Sequence, residues 1–234
     1  MNLPGNQDEG VMVDIVDEIN ATHRVVGRTD TPAGEARTVL LRRTYDTSVE
    51  DLWDAVTNPE RLPRWFLPVS GDFRLGGRYQ TEGNAGGEII ACEPPRRLRV
   101  TWVFGPAVEG GFSEVEVRLS PGSGPDDEKS TVFELEHIAI SDPERWTEYG
   151  PGAVGVGWDL ALLALGLYLA GEGIDDPSAW EQSKEAREFS TLSSNAWGAA
   201  SVAGGESPDA VATMVANTTA FYAPDVPAPE PSGD

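Results

Sequence analysis

The segment 153–170, AVGVGWDLALLALGLYLA, is the most apolar run in the chain and constrains the fold more than any other stretch. A run of this kind either crosses a bilayer, which takes about 20 residues, or forms a helix buried on all sides. Asp159 lies inside it, Gly155, Gly157 and Gly166 interrupt it, and no cluster of Lys or Arg flanks it to set an orientation. It therefore reads as a buried helix, and the rest of the chain must supply an apolar surface that encloses it.

That surface is a sheet. Five strand-like segments, 71–75, 78–82, 87–92, 98–104 and 112–119, follow one another with Gly and Pro breaks, and a sixth, 130–140, follows a loop at 121–129. Short strands in succession with tight turns make an antiparallel meander. Alternation identifies the dry face: Leu98, Val100, Trp102 and Phe104 share one side, with Arg97, Arg99 and Thr101 on the other. Val115, Val117 and Leu119 oppose Glu114, Glu116 and Arg118 in the same way, and Phe133, Leu135 and His137 form the matching set.

Upstream, 11–20 has helical spacing, with a β-branched content that leaves a strand open, and 22–29 and 35–45 form a hairpin around Asp30-Thr-Pro-Ala-Gly34. Ser48, followed by Glu50 and Asp51, starts a helix whose apolar face is Leu52, Trp53 and Val56, and a second short helix covers 60–65. Downstream, Asp176-Pro177 opens one helix reaching Trp197, and Ser207-Pro208 opens another carrying Val211, Met214, Thr218 and Tyr222. The expected organisation is an N-terminal segment with the first hairpin strand (1–36), an α+β core domain (37–171), a C-terminal helical hairpin (172–223) and a Pro-rich, acidic, disordered tail (224–234).

Charge narrows the partners. With 39 acidic against 17 basic residues and a net charge of -22, the surface repels nucleic-acid phosphates and anionic lipid headgroups alike. The single Cys92 forms no intramolecular disulfide, and the opening residues lack the pattern of a signal peptide, so a cytoplasmic location is expected.

A strand, two short helices, a curved antiparallel sheet and a long helix gripped by it follow the order of the helix-grip fold. The residues resemble the SRPBCC (START-like) superfamily, and within it the family named after the activator of the 90-kDa heat-shock-protein ATPase. The likeness lies in Arg43 to Phe66 (RTYDTSVEDLWDAVTNPERLPRWF), in Phe73-Arg-Leu-Gly76-Gly77-Arg-Tyr79, and in Gly87-Glu88 with Glu93-Pro94-Pro95. It continues through Thr101-Trp102 and Leu135-Glu-His137 to Gly157-Trp158, covering roughly residues 37–170. The resemblance implies a helix-grip fold with a hydrophobic cavity and no cofactor. Some family members stimulate the chaperone, so it leaves a chaperone partner open beside a homodimer.

Candidate functional residues follow from the dry face. Trp65, Phe66, Tyr79, Trp102, Phe104, Phe133, Leu135, His137, Trp158 and Leu162 come from different elements yet are expected to face the space between sheet and helix, as in an apolar ligand site. Tyr79, His137 and Asp159 are the expected polar groups there, and His137 and Tyr79 the candidates for proton transfer. Two isolated His and one Cys make no zinc set, and the glycines at 76–77 and 83–87 precede no helix, as a phosphate loop would. Cys92 shares a strand face with Glu88 and Ile90 and reads as a small hydrophobe, and Arg96, Arg97 and Arg99 read as a solvated sheet face.

Three functions are open at this level: binding of a small hydrophobic ligand, a cyclase- or dehydratase-like reaction on an aromatic or polyketide-like substrate, and a chaperone-associated interaction module. An exposed aromatic patch of Trp180, Trp197, Phe221 and Tyr222 on the helical hairpin would favour the last.

Overall fold

A computed structural model of the chain describes residues 14–105, 111–122, 129–173 and 177–224. Residues 11–13 of the first expected helix, the capping Asp176, most of the loop before the last strand, and the expected disordered tail from 225 lie outside them.

Eight strands form one antiparallel sheet, ordered β1-β2-β8-β7-β6-β5-β4-β3. The hairpin of β1 (His23–Thr31) and β2 (Gly34–Tyr45) is followed by α2 (Val49–Thr57) and a single 3-10 turn (Leu62–Arg64). These carry the chain to the far edge of the sheet, where β3 (Val69–Gly71) starts the meander. It returns through β4 (Arg78–Thr81), β5 (Gly86–Glu93), β6 (Arg97–Thr101), β7 (Ser113–Pro121) and β8 (Thr131–Ala139), which pairs with β2. The last segments are α3 (Pro143–Tyr149), α4 (Gly152–Leu169), α5 (Pro177–Glu181), α6 (Lys184–Ala203) and α7 (Pro208–Tyr222), while α1 (Ile15–Asn20) precedes the first strand.

Local chemistry sets the boundaries. Asp14, Ser48 and Ser207 cap α1, α2 and α7 with side-chain oxygens that accept backbone N–H bonds. Where one helix was expected from Pro177 to Trp197, there are two, because Ser183 accepts from Ala186 N and starts α6 afresh. α3 was not anticipated, although Asp142-Pro143 repeats the Asp-Pro signal found at 176–177 and Asp142 caps it. The strand expected at 71–75 lies earlier, at β3.

α4 is apolar all round and is held between two layers. One side faces the sheet, and the other packs on α6 and α7 through Gly155 against Trp197 and Gly152 against Thr218. It is the one helix among the described residues long and apolar enough to cross a membrane, yet protein covers both of these sides. Leu41, Leu52, Leu162, Leu165 and Trp197 are almost wholly buried in a single core, so α6 is part of the main core.

The convex face carries the alternating charges. Arg97 pairs with Glu93 and Glu116, Arg99 with Glu114, and Arg118 with Glu116, Glu134 and Glu136. Partial burial acts to raise the Glu116 pKa, but Arg97 and Arg118 outweigh it and hold the group below its ordinary value. The solvated charged face expected at Arg97 and Arg99 is thus cross-linked by ion pairs.

Candidate functional site

A cavity of about 180 Å³ lies between the concave sheet and α4. Its back wall is Val115, Val117, Phe133 and Leu135 of β7 and β8, continued by Leu98 and Val100 of β6. Trp158, Ala161 and Leu162 of α4 form the front, and Leu62, Trp65, Phe66, Val69 and Phe73 close the side towards β3. Ring contacts run from Trp65 to Phe66 (5.5 Å between centroids), Phe66 to Trp102 (6.4 Å), and Trp102 to both Tyr79 (6.3 Å) and Trp158 (5.1 Å). The aromatic side chains make one connected arc around the space.

The polar groups on the wall are already partnered. Tyr79 Oη donates to Thr101 O at 2.8 Å, Thr57 Oγ1 to Trp53 O at 2.6 Å, and Thr81 Oγ1 to Ala85 O. Trp65 Nε1 donates to Ala55 O at 3.0 Å and Trp158 Nε1 to His137 Nδ1 at 3.2 Å. Burial pushes the Tyr79 hydroxyl pKa well above its ordinary value, so the phenol stays protonated at neutral pH. The wall therefore offers apolar contact and shape but no spare hydroxyl or indole donor.

Arg61 braces the segment that supplies Leu62, Trp65 and Phe66. Its guanidinium donates to Tyr168 Oη (2.8 Å), Asp51 Oδ1 (2.8 Å) and Asp54 Oδ2 (2.9 Å), tying the 3-10 turn to α4 and α2 together. Hydrogen bonding from Arg61 lowers the Asp51 pKa.

The sequence profile of the family described as "Activator of Hsp90 ATPase homolog 1-like protein" matches residues 46–170. The chain belongs to this family. Among solved structures it is similar to CalU16 from Micromonospora echinospora in crystal form, at 39% identity and TM-score 0.59, over 77% of this chain and 98% of that one. The solution structure of CalU16 matches at 40% identity and TM-score 0.61, over 79% and 97%. PFC0360w, an HSP90 activator from Plasmodium falciparum, matches at 23% identity and TM-score 0.40, over 44% of this chain and 74% of that one. No curated protein matches the sequence. Family membership and the CalU16 likeness agree with the eight-stranded sheet and gripped helix: the fold is the helix-grip fold.

Within this family fold, Trp65, Phe66, Tyr79, Trp102, Phe133, Leu135, Trp158 and Leu162 line the cavity. Phe104 does not: it is 75% exposed, because β6 ends at Thr101 and the chain then leaves the sheet after a single bridge from Val103 to Gly86. His137 is buried beside Trp158 and is not part of the lining. Indole N–H only donates, so His137 Nδ1 is the unprotonated nitrogen and Nε2 carries the proton of the neutral ring, facing Ser113 Oγ at 2.9 Å. That is the reverse of the arrangement in which a histidine withdraws a serine proton. Burial lowers the His137 pKa to about 4. The structure does not join His137 and Tyr79 into a proton-transfer pair facing the cavity.

Asp159, expected to give the cavity polarity, faces away from it. One residue along a helix turns the side chain by about 100°, so Asp159 cannot share the direction of Trp158. Its carboxylate accepts from Arg24 Nε and Nη2 (both 3.0 Å at their nearest), Ser193 Oγ (2.5 Å) and Trp197 Nε1 (3.0 Å). Arg24 Nη1 donates in turn to Ile19 O and Thr22 O, so one buried cluster joins α1, β1, α4 and α6.

Cys92 was expected on the face of Glu88 and Ile90 but lines the cavity with Ile89. The register of β5 on β6 shifts between Ile89 and Ala91, which moves the following residues to the opposite face. Its thiol is exposed, and burial of part of the side chain raises its pKa, which disfavours the nucleophilic thiolate. Ala161, Val56 and Val69 also line the cavity, a place the sequence did not assign to them. Among the described residues, no group of three or more His, Cys, Asp or Glu is placed to hold a metal.

Proposed function

We propose that the protein binds a small, uncharged, apolar molecule in the cavity between the sheet and α4. The observation that carries this reading is a connected aromatic wall around about 180 Å³ whose hydroxyl groups are all bonded to backbone carbonyls. Such a site recognises its ligand by burying apolar surface, which contributes about 25 cal/mol per Å² removed from water. A single chain supplies the whole wall, so neither a second copy nor a chaperone is needed to complete it.

The helical extension serves this site as a brace. Trp197 is buried in the core, Trp180 packs on the cluster of Ile19, Leu163 and Phe189, and Tyr222 Oη donates to Ala153 O at 2.9 Å. Of the four aromatics whose joint exposure would favour an interaction surface, only Phe221 is strongly exposed, at 64%. These contacts support a role in backing α4.

The test is to titrate the full chain with naphthalene and map amide chemical shifts, with native mass spectrometry on protein taken directly from producing cells. Saturable shifts clustered around Phe66, Tyr79, Trp102 and Leu162, with α7 unmoved, are expected. Absence of saturable binding, or shifts scattered over the surface, would overturn the reading.

A further inference from the structure

Most of the cavity wall is built from large side chains, but at one position it is thin. On the sheet-facing side of α4, Trp158, Leu162 and Leu165 recur at the i, i+4, i+7 spacing that stacks residues on one helical face. Leu162 and Leu165 are 2% and 0% exposed. Ala161 lies in the same stripe, presents only a methyl group, is partly exposed and lines the cavity. The cavity therefore reaches the helix at Ala161, where a larger side chain would project into it.

We propose that Ala161 sets the size limit of the ligand, and that the group admitted is an uncharged apolar unit of one or two fused rings with no substituent at its buried end that needs a hydrogen-bond donor. The size follows from the volume: an engineered cavity of about 150 Å³ lined by Leu, Ile and Phe takes benzene, and this one, at about 180 Å³, is only slightly larger. Larger molecules fit only if part of them projects through the opening beside the exposed Phe73 and Cys92. The exclusion of acceptor groups follows from the partners: Tyr79, Thr57, Thr81, Trp65 and Trp158 all donate within the protein. A carbonyl or ring nitrogen placed at the closed end would lose its water without gaining a donor from any of them.

This inference rests on the proposed binding role and is tested separately from it. Naphthalene is titrated into the wild-type chain, Ala161→Leu and Ala161→Phe, with melting temperatures measured on the same samples. A tenfold or larger loss of naphthalene affinity in Ala161→Phe, a smaller loss in Ala161→Leu, and melting at or above the wild-type temperature in both are expected, since the new side chain fills space that is empty. Affinities within twofold of wild type in both variants would overturn the size limit, and Ala161→Leu decides it alone should Ala161→Phe fail to fold. In the wild type, p-xylene is expected to bind at least tenfold more tightly than the isosteric, acceptor-only 2,5-dimethylpyrazine, and equal affinities would overturn the exclusion of acceptor groups. Failure of the wild type to bind either naphthalene or p-xylene would instead remove the binding role on which the inference stands.

Discussion

The two sides of α4 solve the burial problem in opposite ways. Towards α6 and α7 the helix carries Gly152, Gly155 and Asp159, the helices approach closely, and each oxygen of the carboxylate has a donor. Towards the sheet it carries the large Trp158 and Leu162 beside the small Ala161, and space is left over. A charge inside an apolar helix is tolerated where packing is tight enough to bring donors to it, and a void where the surrounding wall is stiff and apolar. The same eighteen-residue helix is thus locked on one side and hollow on the other.

The sharpest way to break this contrast is to remove the locking charge. Asp159→Ala leaves the Arg24 guanidinium buried without its partner and is expected to destabilise the fold by about 3–5 kcal/mol in denaturant unfolding. Replacing Arg24 by Leu as well is expected to recover part of that loss, because no charge is then buried alone. An Asp159→Ala protein as stable as the wild type would show that the cluster does not hold the helix.

Next in size is a pH effect at the boundary between the two sides, where His137 accepts a bond from Trp158. In the unfolded chain this histidine takes a proton below its ordinary pKa of 6.5, whereas in the folded protein it stays neutral down to about 4. Its contribution is therefore fully present above pH 6.5 and is lost as pH falls from 6.5 to 4, to an extent on the order of 3 kcal/mol. Unfolding free energies measured between pH 4.5 and 7.5 should fall less steeply in His137→Gln than in the wild type. Parallel slopes would mean that the ring is hydrated and titrates normally.

The smallest effect compares one added methyl on the locked side with the larger additions tested on the hollow side. A Cβ at Gly155 would overlap the Trp197 ring, so Gly155→Ala is expected to cost about 1–3 kcal/mol through overpacking. Loss of stability at Gly155, beside none at Ala161→Leu, would confirm that the sides differ in packing; equal effects would erase the distinction.

Much of this arrangement was legible in the residues. The apolar alternation of Leu98 and Val100, of Val115 and Val117, and of Phe133 and Leu135 locates the concave face, because a strand buried on one side has few other patterns open to it. The capping of α2 and α7 was equally plain at Ser48 and Ser207. What escaped the sequence was every place where the chain departs from its local period. Phe104 continues the alternation of β6 in the sequence but not in space, since the strand has already ended. Cys92 changes sides at an irregularity that only the partner strand reveals. Asp159 looked like a polar group for the cavity because its partners, Arg24, Ser193 and Trp197, are distant in the chain, and no local pattern announces them.

The close approach of Gly155 to Trp197 has a consequence for how such a chain changes over generations. A lineage drifting by single substitutions has little freedom along that seam, where even a methyl group collides with an indole. Across the helix Ala161 lines the cavity, so under the proposed binding role a substitution there changes what fits while the scaffold stays put. Descendants of one ancestor would then share an architecture and differ in what they carry.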